Sequence, residues 1–255
     1  MGPSFDLHGT NALVTGASGG LGAHFARVLA RAGAKVVLAA RRTEKLAELA
    51  KAIEAEGGRA VPVACDVTSP ESIRAAFATA ETELGPIGIL VNNSGVAVAK
   101  RLIDQTEEDW DQVVDTNLKG AWLMATEFAR RLAVPRLPGK IINIASILGL
   151  RTIGHVAPYT ASKAGLIHLT RVMALELAGQ RIQVNAIAPG YFSTDINRDF
   201  LAGPGGQSLM KRVPMGRFGE AEDLDGVLLL LASDAGRYIN GAVIPVDGGH
   251  LVSSL

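Results

Sequence analysis

The 255-residue chain has a single cysteine, Cys65, and therefore no partner for an intrachain disulfide. That excludes a disulfide-stapled secreted scaffold and fits a reducing compartment. Cys65 ends the apolar run AVPVAC and reads as a small core residue rather than a reactive thiol. Net charge is also missing, because 25 Lys and Arg balance 25 Asp and Glu. The composition thus offers no electrostatic footprint for nucleic acid or an anionic membrane surface. The longest aliphatic run, VLLLLA at Val227–Ala232, falls far short of the ~20 residues of a membrane span. The opening MGPSFDLHGT has no basic region followed by an apolar stretch, and Asp6 stands where a myristoylation pattern needs Ser or Thr. His8, His24, His155, His168 and His250 show no metal-ligand spacing, so no metal is expected. Together these absences predict a soluble cytoplasmic protein.

What the chain does have is apolar residues, at 48%, and 29 glycines spread between apolar segments. Short β-rich runs alternate with amphipathic ones: ALVTG, KVVLAA, AVPVAC, IGILVNN, KIINIAS, IQVNAIAPG and AVIPVDGG are the strand candidates. Strands apolar on both faces, separated by helices, imply a parallel sheet covered on each side. The predicted fold is therefore α/β: one doubly wound sheet of about seven strands in a single domain spanning 1–255. Thr43 is the expected N-cap of the second helix. Ser69 followed by Pro70 should start the third. A long helical region is expected over about 107–132, its acids Glu107, Glu108 and Asp109 suiting the helix dipole.

Three stretches carry chemistry. TGASGGLG, Thr15–Gly22, joins the first strand to a helix, with Gly16, Gly20 and Gly22 at the junction. Glycines there let the backbone turn sharply and approach a pyrophosphate, which a helix N-terminus favours. NNSG, Asn92–Gly95, ends the fourth strand, where an open α/β sheet places its ligands. In APYTASKAG, Tyr159 precedes Lys163 by four positions, which puts a phenol and an ammonium on one helix face. Ser146 ends the fifth strand, 13 residues before Tyr159.

Taken in this order, TGASGGLG, NNSG, Ser146 with YTASK, and Pro189–Gly190 with Thr194 resemble the short-chain dehydrogenase/reductase family across Gly9–Gly249. The resemblance implies a Rossmann-type fold. It also implies a catalytic set of Asn117, Ser146, Tyr159 and Lys163, with Asn117 in DTNLKGAW. Hydride transfer to a carbonyl builds negative charge on oxygen, which needs a proton donor and a second hydrogen-bond donor. On this reading Tyr159 is the general acid or base, Lys163 lowers its pKa, and Ser146 holds the substrate oxygen. The family pattern also has Lys163 bind the nicotinamide ribose and Asn117 hold a water that relays protons to Lys163.

The cofactor contacts implied are Gly16, Ser18, Gly20, Leu21, Gly22, Asp66, Val67, Asn93, Gly95, Tyr159, Lys163, Pro189, Gly190 and Thr194, with Arg41 and Arg42 at the adenosine end. An acid that would bind a ribose 2′-OH is missing at Ala40, and Arg41 and Arg42 follow, which favours NADP(H) over NAD(H). Gly19, where many NADP-type relatives carry Arg or Lys, keeps NAD(H) open. Candidate substrate contacts are Val96, Ser146, Leu148, His155, Tyr159 and Tyr191, beneath a lid at about 191–216 rich in glycine. The expected function is NAD(P)-dependent interconversion of a ketone and a secondary alcohol. A 3-oxoacyl thioester reductase and a sugar or polyol dehydrogenase are the alternatives within the family, and a non-catalytic cofactor-binding regulator is the alternative outside it. A small-molecule carbonyl or alcohol is the expected partner, with no nucleic acid and no membrane. The family pattern implies a homotetramer.

Overall fold

Seven parallel strands run in the order β3-β2-β1-β4-β5-β6-β7 in the computed structural model. The structure describes residues 5–192, 201 and 203–253. The strands are β1 (Asn11–Thr15), β2 (Lys35–Ala40), β3 (Arg59–Ala64), β4 (Ile89–Asn92), β5 (Gly139–Ile144), β6 (Ile182–Pro189) and β7 (Val243–Val246). The order reverses between β1 and β4, so the carboxyl ends of those two strands open a crevice at the switch point. The doubly wound α/β sheet expected from the sequence is the one observed.

Strand alternation divides the core. Val36 and Leu38 face one side of β2, while Val37 and Ala39 face the other. On the first side Phe25 and Leu29 of α1 (Gly20–Arg31) share a cluster with Leu228 and Leu231 of a helix over Asp225–Ala232. On the second side Phe77 of α3 (Pro70–Leu84) meets Met124 and Phe128 of α5 (Gly120–Ala133). Both faces exclude water, as the unbroken apolar strands require.

Most helix signals act as read. Ser69 caps α3 by accepting from the Ser72 amide at 3.2 Å, with Pro70 in the first turn. Thr106 and Asp109 form a reciprocal capping box on α4 (Glu107–Val114), which gives the acidic cluster a structural role. Thr43 does not cap: it lies inside α2 (Thr43–Ala55), and Arg42 takes the capping position without a side-chain bond. The arginine side chain turns toward the glycine turn of β1 instead. The long helix is also interrupted. Asp115–Lys119 form one π-helical turn between α4 and α5. Among the described residues the further α-helices are α6 (Ala157–Leu177), α7 (Pro204–Met210) and α8 (Asp225–Ala232).

Candidate active site

A cavity of about 510 Å³ runs along the carboxyl ends of the strands. Its floor begins at the β1–α1 turn, where Gly16 adopts a left-handed φ of +66°. Gly22 sits behind that turn, at a close approach of the backbone. A Cβ on Gly22 would lie 2.3 Å from the Gly16 carbonyl and 2.5 Å from Asn93 Nδ2. The β4 end is stitched to the turn by Thr15, whose hydroxyl accepts from the amides of Asn93 at 2.9 Å and Ser94 at 3.0 Å. Asn93 Nδ2 returns a bond to the Thr15 carbonyl at 3.0 Å. Below this seam, Asn92 donates to Asn143 at 3.0 Å and Asn143 donates to Thr170 at 2.9 Å. That buried amide ladder ties β4 and β5 to α6, which carries the reactive side chains.

At one end of the cavity lie Ser18, Gly20 and Leu21 from the turn, with Arg41, Arg42, Asp66 and Val67 opposite. Arg42 donates to the Ser18 hydroxyl through Nε at 3.2 Å and through Nη2 at 2.9 Å. Asp66 accepts from the amide and hydroxyl of Thr68 at 2.9 and 2.7 Å. Those bonds, with the Arg41 charge, hold its carboxyl below the usual range.

At the other end Val96, Ser146, Leu148, Tyr159, Lys163 and Tyr191 line the same cavity, with Gly95, Pro189 and Gly190 between the two ends. Tyr159 and Lys163 share one face of α6, and the Lys163 Nζ lies 5.7 Å from the centroid of the Tyr159 ring. The Lys163 ammonium is buried and donates to the Ile144 carbonyl at 2.7 Å. Burial lowers its pKa to about 8. The pKa of Tyr159 moves opposite to the expectation from the Tyr–Lys spacing. Burial pushes the phenol up, while the nearby Ser146 hydroxyl pulls it partly back. The reason is desolvation: the ammonium that was to stabilise a phenolate is itself destabilised by the same dry wall.

Asn117 does not line the cavity. It is buried in the π turn, accepts from the Val96 amide at 2.8 Å, and donates to the Val96 carbonyl at 2.9 Å and to Ser162 Oγ at 3.1 Å. The Ser162 hydroxyl donates in turn to the Tyr159 carbonyl at 2.8 Å. Asn117 therefore joins the β4 loop to the helix that carries Tyr159 and Lys163. His155 is exposed at a left-handed φ of +72°, outside the cavity lining, because its backbone makes the turn that receives the Lys100 amide. The neighbouring Val156 lines the cavity in its place. Thr194 and part of the predicted lid lie outside the described residues.

Several contributors carry no motif. In the sequence Thr15 stands out only as the start of the glycine turn, and Ser162 only as part of YTASK. Ile144 contributes a carbonyl that any residue could supply. Arg151 and His250 meet near Tyr191 although they are 99 residues apart.

The glycine cradle, the arginine pair at one end and the buried ammonium beside a phenol at the other fit a bound dinucleotide phosphate. Known proteins agree in kind. A family model described as enoyl-(acyl carrier protein) reductase matches residues 16–250. The chain is 40% identical to gluconate 5-dehydrogenase of Gluconobacter oxydans over 98% of this chain and 97% of that one. It is 36% identical to a 3-oxoacyl-(acyl-carrier-protein) reductase of Thermotoga maritima over 96% of this chain and 99% of that one. A crystal structure of gluconate 5-dehydrogenase from Burkholderia cenocepacia in complex with NADP and tartrate superposes with a TM-score of 0.95, at 38% identity and 99% coverage of both chains.

Proposed function

The chain belongs to the short-chain dehydrogenase/reductase family, and from that premise we propose that it is an NADP(H)-preferring oxidoreductase interconverting a ketone and a secondary alcohol. One observation carries the reading: the Tyr159–Lys163 pair and the β1–α1 glycine turn open into one continuous cavity. When bound, the nicotinamide cofactor supplies or accepts the hydride. The chain's own residues do the rest. Ser146 donates a hydrogen bond to the substrate oxygen. Tyr159, held protonated by burial, gives that oxygen its proton in reduction and takes it back in oxidation. Lys163 orients the cofactor ribose and places positive charge beside the phenol as oxygen charge develops.

Asn117 fixes Val96 and, through Ser162, the first turns of α6, so the proton donor and the substrate loop keep one spacing. Arg42 and Ser18, with Arg41, meet the 2′-phosphate. NADP bound to the Burkholderia relative supports NADP(H) as the cofactor. The homotetramer is proposed from the family resemblance, and the exposed apolar side chains Trp122 on α5 and Leu175 on α6 are available to subunit contacts. We assign the enzyme to the cytoplasm, consistent with its one buried cysteine and with no helix among the described residues long and apolar enough to cross a membrane.

The test is a spectrophotometric panel. NADPH or NADH consumption is followed with ketones, 3-oxoacyl thioesters and keto sugars, and the reverse reaction with the matching alcohols. Turnover faster with NADPH supports the reading. Tight NADPH binding with no turnover across the panel would favour a cofactor-sensing protein instead.

A further inference from the structure

A second, smaller cavity of about 170 Å³ lies beside the substrate end of the first. The two share a wall, because Tyr191 and Phe192 line both. The backbone of that wall is fixed. The Gly219 amide donates to the Tyr191 carbonyl at 2.9 Å, and Phe192 bridges to Gly219. The Phe192 ring is buried over Gly219, where an added Cβ would meet it at 2.4 Å. The Tyr191 side chain is the part that can be removed. Its ring packs against Phe218 and His250, with centroids 6.4 and 5.6 Å away. Its hydroxyl makes no hydrogen bond among the described residues, so packing holds the ring. The phenol stands close enough to Tyr159 for its charge to raise the Tyr159 pKa.

Phe192, Val213, Met215 and Val246 give the side cavity an apolar lining. The charged groups that also line it are already satisfied. Arg217 donates to both oxygens of Asp223 at 2.6 and 2.9 Å, and Asp247 accepts from the amides of Gly249 and Leu251 at 2.9 and 2.7 Å. An apolar guest therefore suits this space, and about 150 Å³ is room enough for benzene. The strand order sets where the space lies. Ser146 follows β5, Val96 stands beyond β4 on one flank, and Tyr191 stands beyond β6 on the other. A carbonyl hydrogen-bonded to Ser146 can send one arm toward each flank.

We propose that the Tyr191 ring is the specificity-determining wall of the substrate end, shutting the side cavity so that the enzyme takes ketones with one aryl-sized arm and rejects those with two. The proposal rests on the oxidoreductase reading for the reacting carbonyl but not for the wall. Tyr191→Ala removes the ring and joins the two cavities. A second aryl arm then gains a burial that the wild type denies it, worth roughly 10- to 150-fold. Tyr191→Phe keeps the ring and therefore the wall. Val213→Phe fills the side cavity from its far side and should cancel what Tyr191→Ala opens.

The experiment compares acetophenone, with one aryl arm, and benzophenone, with two. Their kcat/KM values are measured with NADPH on the full chain, and their dissociation constants by equilibrium dialysis with the chain saturated in NADP⁺. Wild type should favour acetophenone. Tyr191→Ala should raise the benzophenone-to-acetophenone ratio roughly 10- to 150-fold, in affinity and in any turnover. Tyr191→Phe should leave the ratio near that of wild type, and adding Val213→Phe to Tyr191→Ala should take most of the gain away. The proposal is overturned if wild type takes both ketones equally, if Tyr191→Ala leaves the ratio unmoved or binds neither ketone, if Tyr191→Phe raises it as much, or if the gain survives Val213→Phe. Thermal melts identify a variant that does not fold. Tyr191→Val then replaces Tyr191→Ala, and Met215→Trp, at the rim of the side cavity, replaces Val213→Phe. A shifted affinity ratio without turnover of either ketone counts against the oxidoreductase reading and not against the wall. Turnover with an unmoved ratio counts against the wall and not against the reading.

Discussion

Asn117 grips Val96 by both of its backbone groups, accepting from the amide at 2.8 Å and donating to the carbonyl at 2.9 Å. The grip depends on the π-helical turn, whose extra residue turns the amide inward from what would otherwise be a continuous helix. Asn117→Ala would leave the half-buried Val96 groups without their partner, at a cost of about 1–3 kcal/mol in stability. Urea denaturation should show that loss together with a fall in kcat. Full stability in the alanine variant would mean that the loop is held by other contacts.

Lys163 makes a second prediction, in which stability and function diverge. Its folded pKa of about 8 lies below its ordinary 10.5. Between those two values the unfolded chain holds a proton that the folded chain does not, so stability rises with pH across the window. The burial cost is therefore present in full below pH 8. Lys163→Met removes it, and the variant should be more stable than wild type at pH 7. The ceiling is ~3 kcal/mol, reduced by loss of the bond to the Ile144 carbonyl. The advantage should shrink as pH climbs from 8 toward 10.5, while cofactor affinity and turnover are poor throughout. Melting curves at pH 7, 8.5 and 10 that stay equally spaced would contradict the account.

The glycine turn offers a steric test. Gly22→Ala places a methyl 2.3 Å from the Gly16 carbonyl and 2.5 Å from Asn93 Nδ2. Neither the backbone carbonyl nor the Asn93 amide, itself bonded to Thr15, can give way cheaply. The β1–α1 turn must shift away from the β4 loop, so NADPH affinity should drop at least tenfold with a lower melting temperature. Fluorescence titration of NADPH checks it, and unchanged affinity would show that the turn has slack.

Much of this was legible locally. Strands buried on both faces announce themselves as apolar runs such as ALVTG, and Ser69–Pro70 marks a helix start because its chemistry is completed within one turn. The Tyr–Lys spacing places two groups on one face, which local geometry alone decides. What stayed hidden depends on distant chain. The rise of the Tyr159 pKa is a burial effect, set by walls from several elements. The π turn at Asn117 is stabilised by Val96 and Ser162, 21 residues before it and 45 after it. Thr43 had the residue type of a cap, yet Arg42 occupies that position while bonding Ser18 across the crevice. The Arg151–His250 contact leaves no trace in either segment.

Cofactor choice should rest on Arg42 more than on Arg41, because the Ser18 hydroxyl already orients the Arg42 guanidinium at the cavity edge. Arg42→Ala should weaken NADPH binding roughly 10- to 150-fold and leave NADH nearly unchanged. Arg41→Ala should cost less, and adding Ala40→Asp should shift preference toward NADH. The ratio of kcat/KM for the two cofactors reports it. A wild type that already prefers NADH would reduce both arginines to a solvated turn.

The central claim is that the Tyr159 hydroxyl is the proton donor of a hydride-transfer site. Tyr159→Phe keeps the ring against the cavity wall and removes only that hydroxyl. The decisive measurement is kcat of the Phe variant beside its NADPH dissociation constant, on whichever carbonyl the wild type reduces best. The account predicts a fall of ~10²–10⁴-fold in kcat with cofactor affinity preserved. Retention of more than a third of wild-type kcat would contradict it.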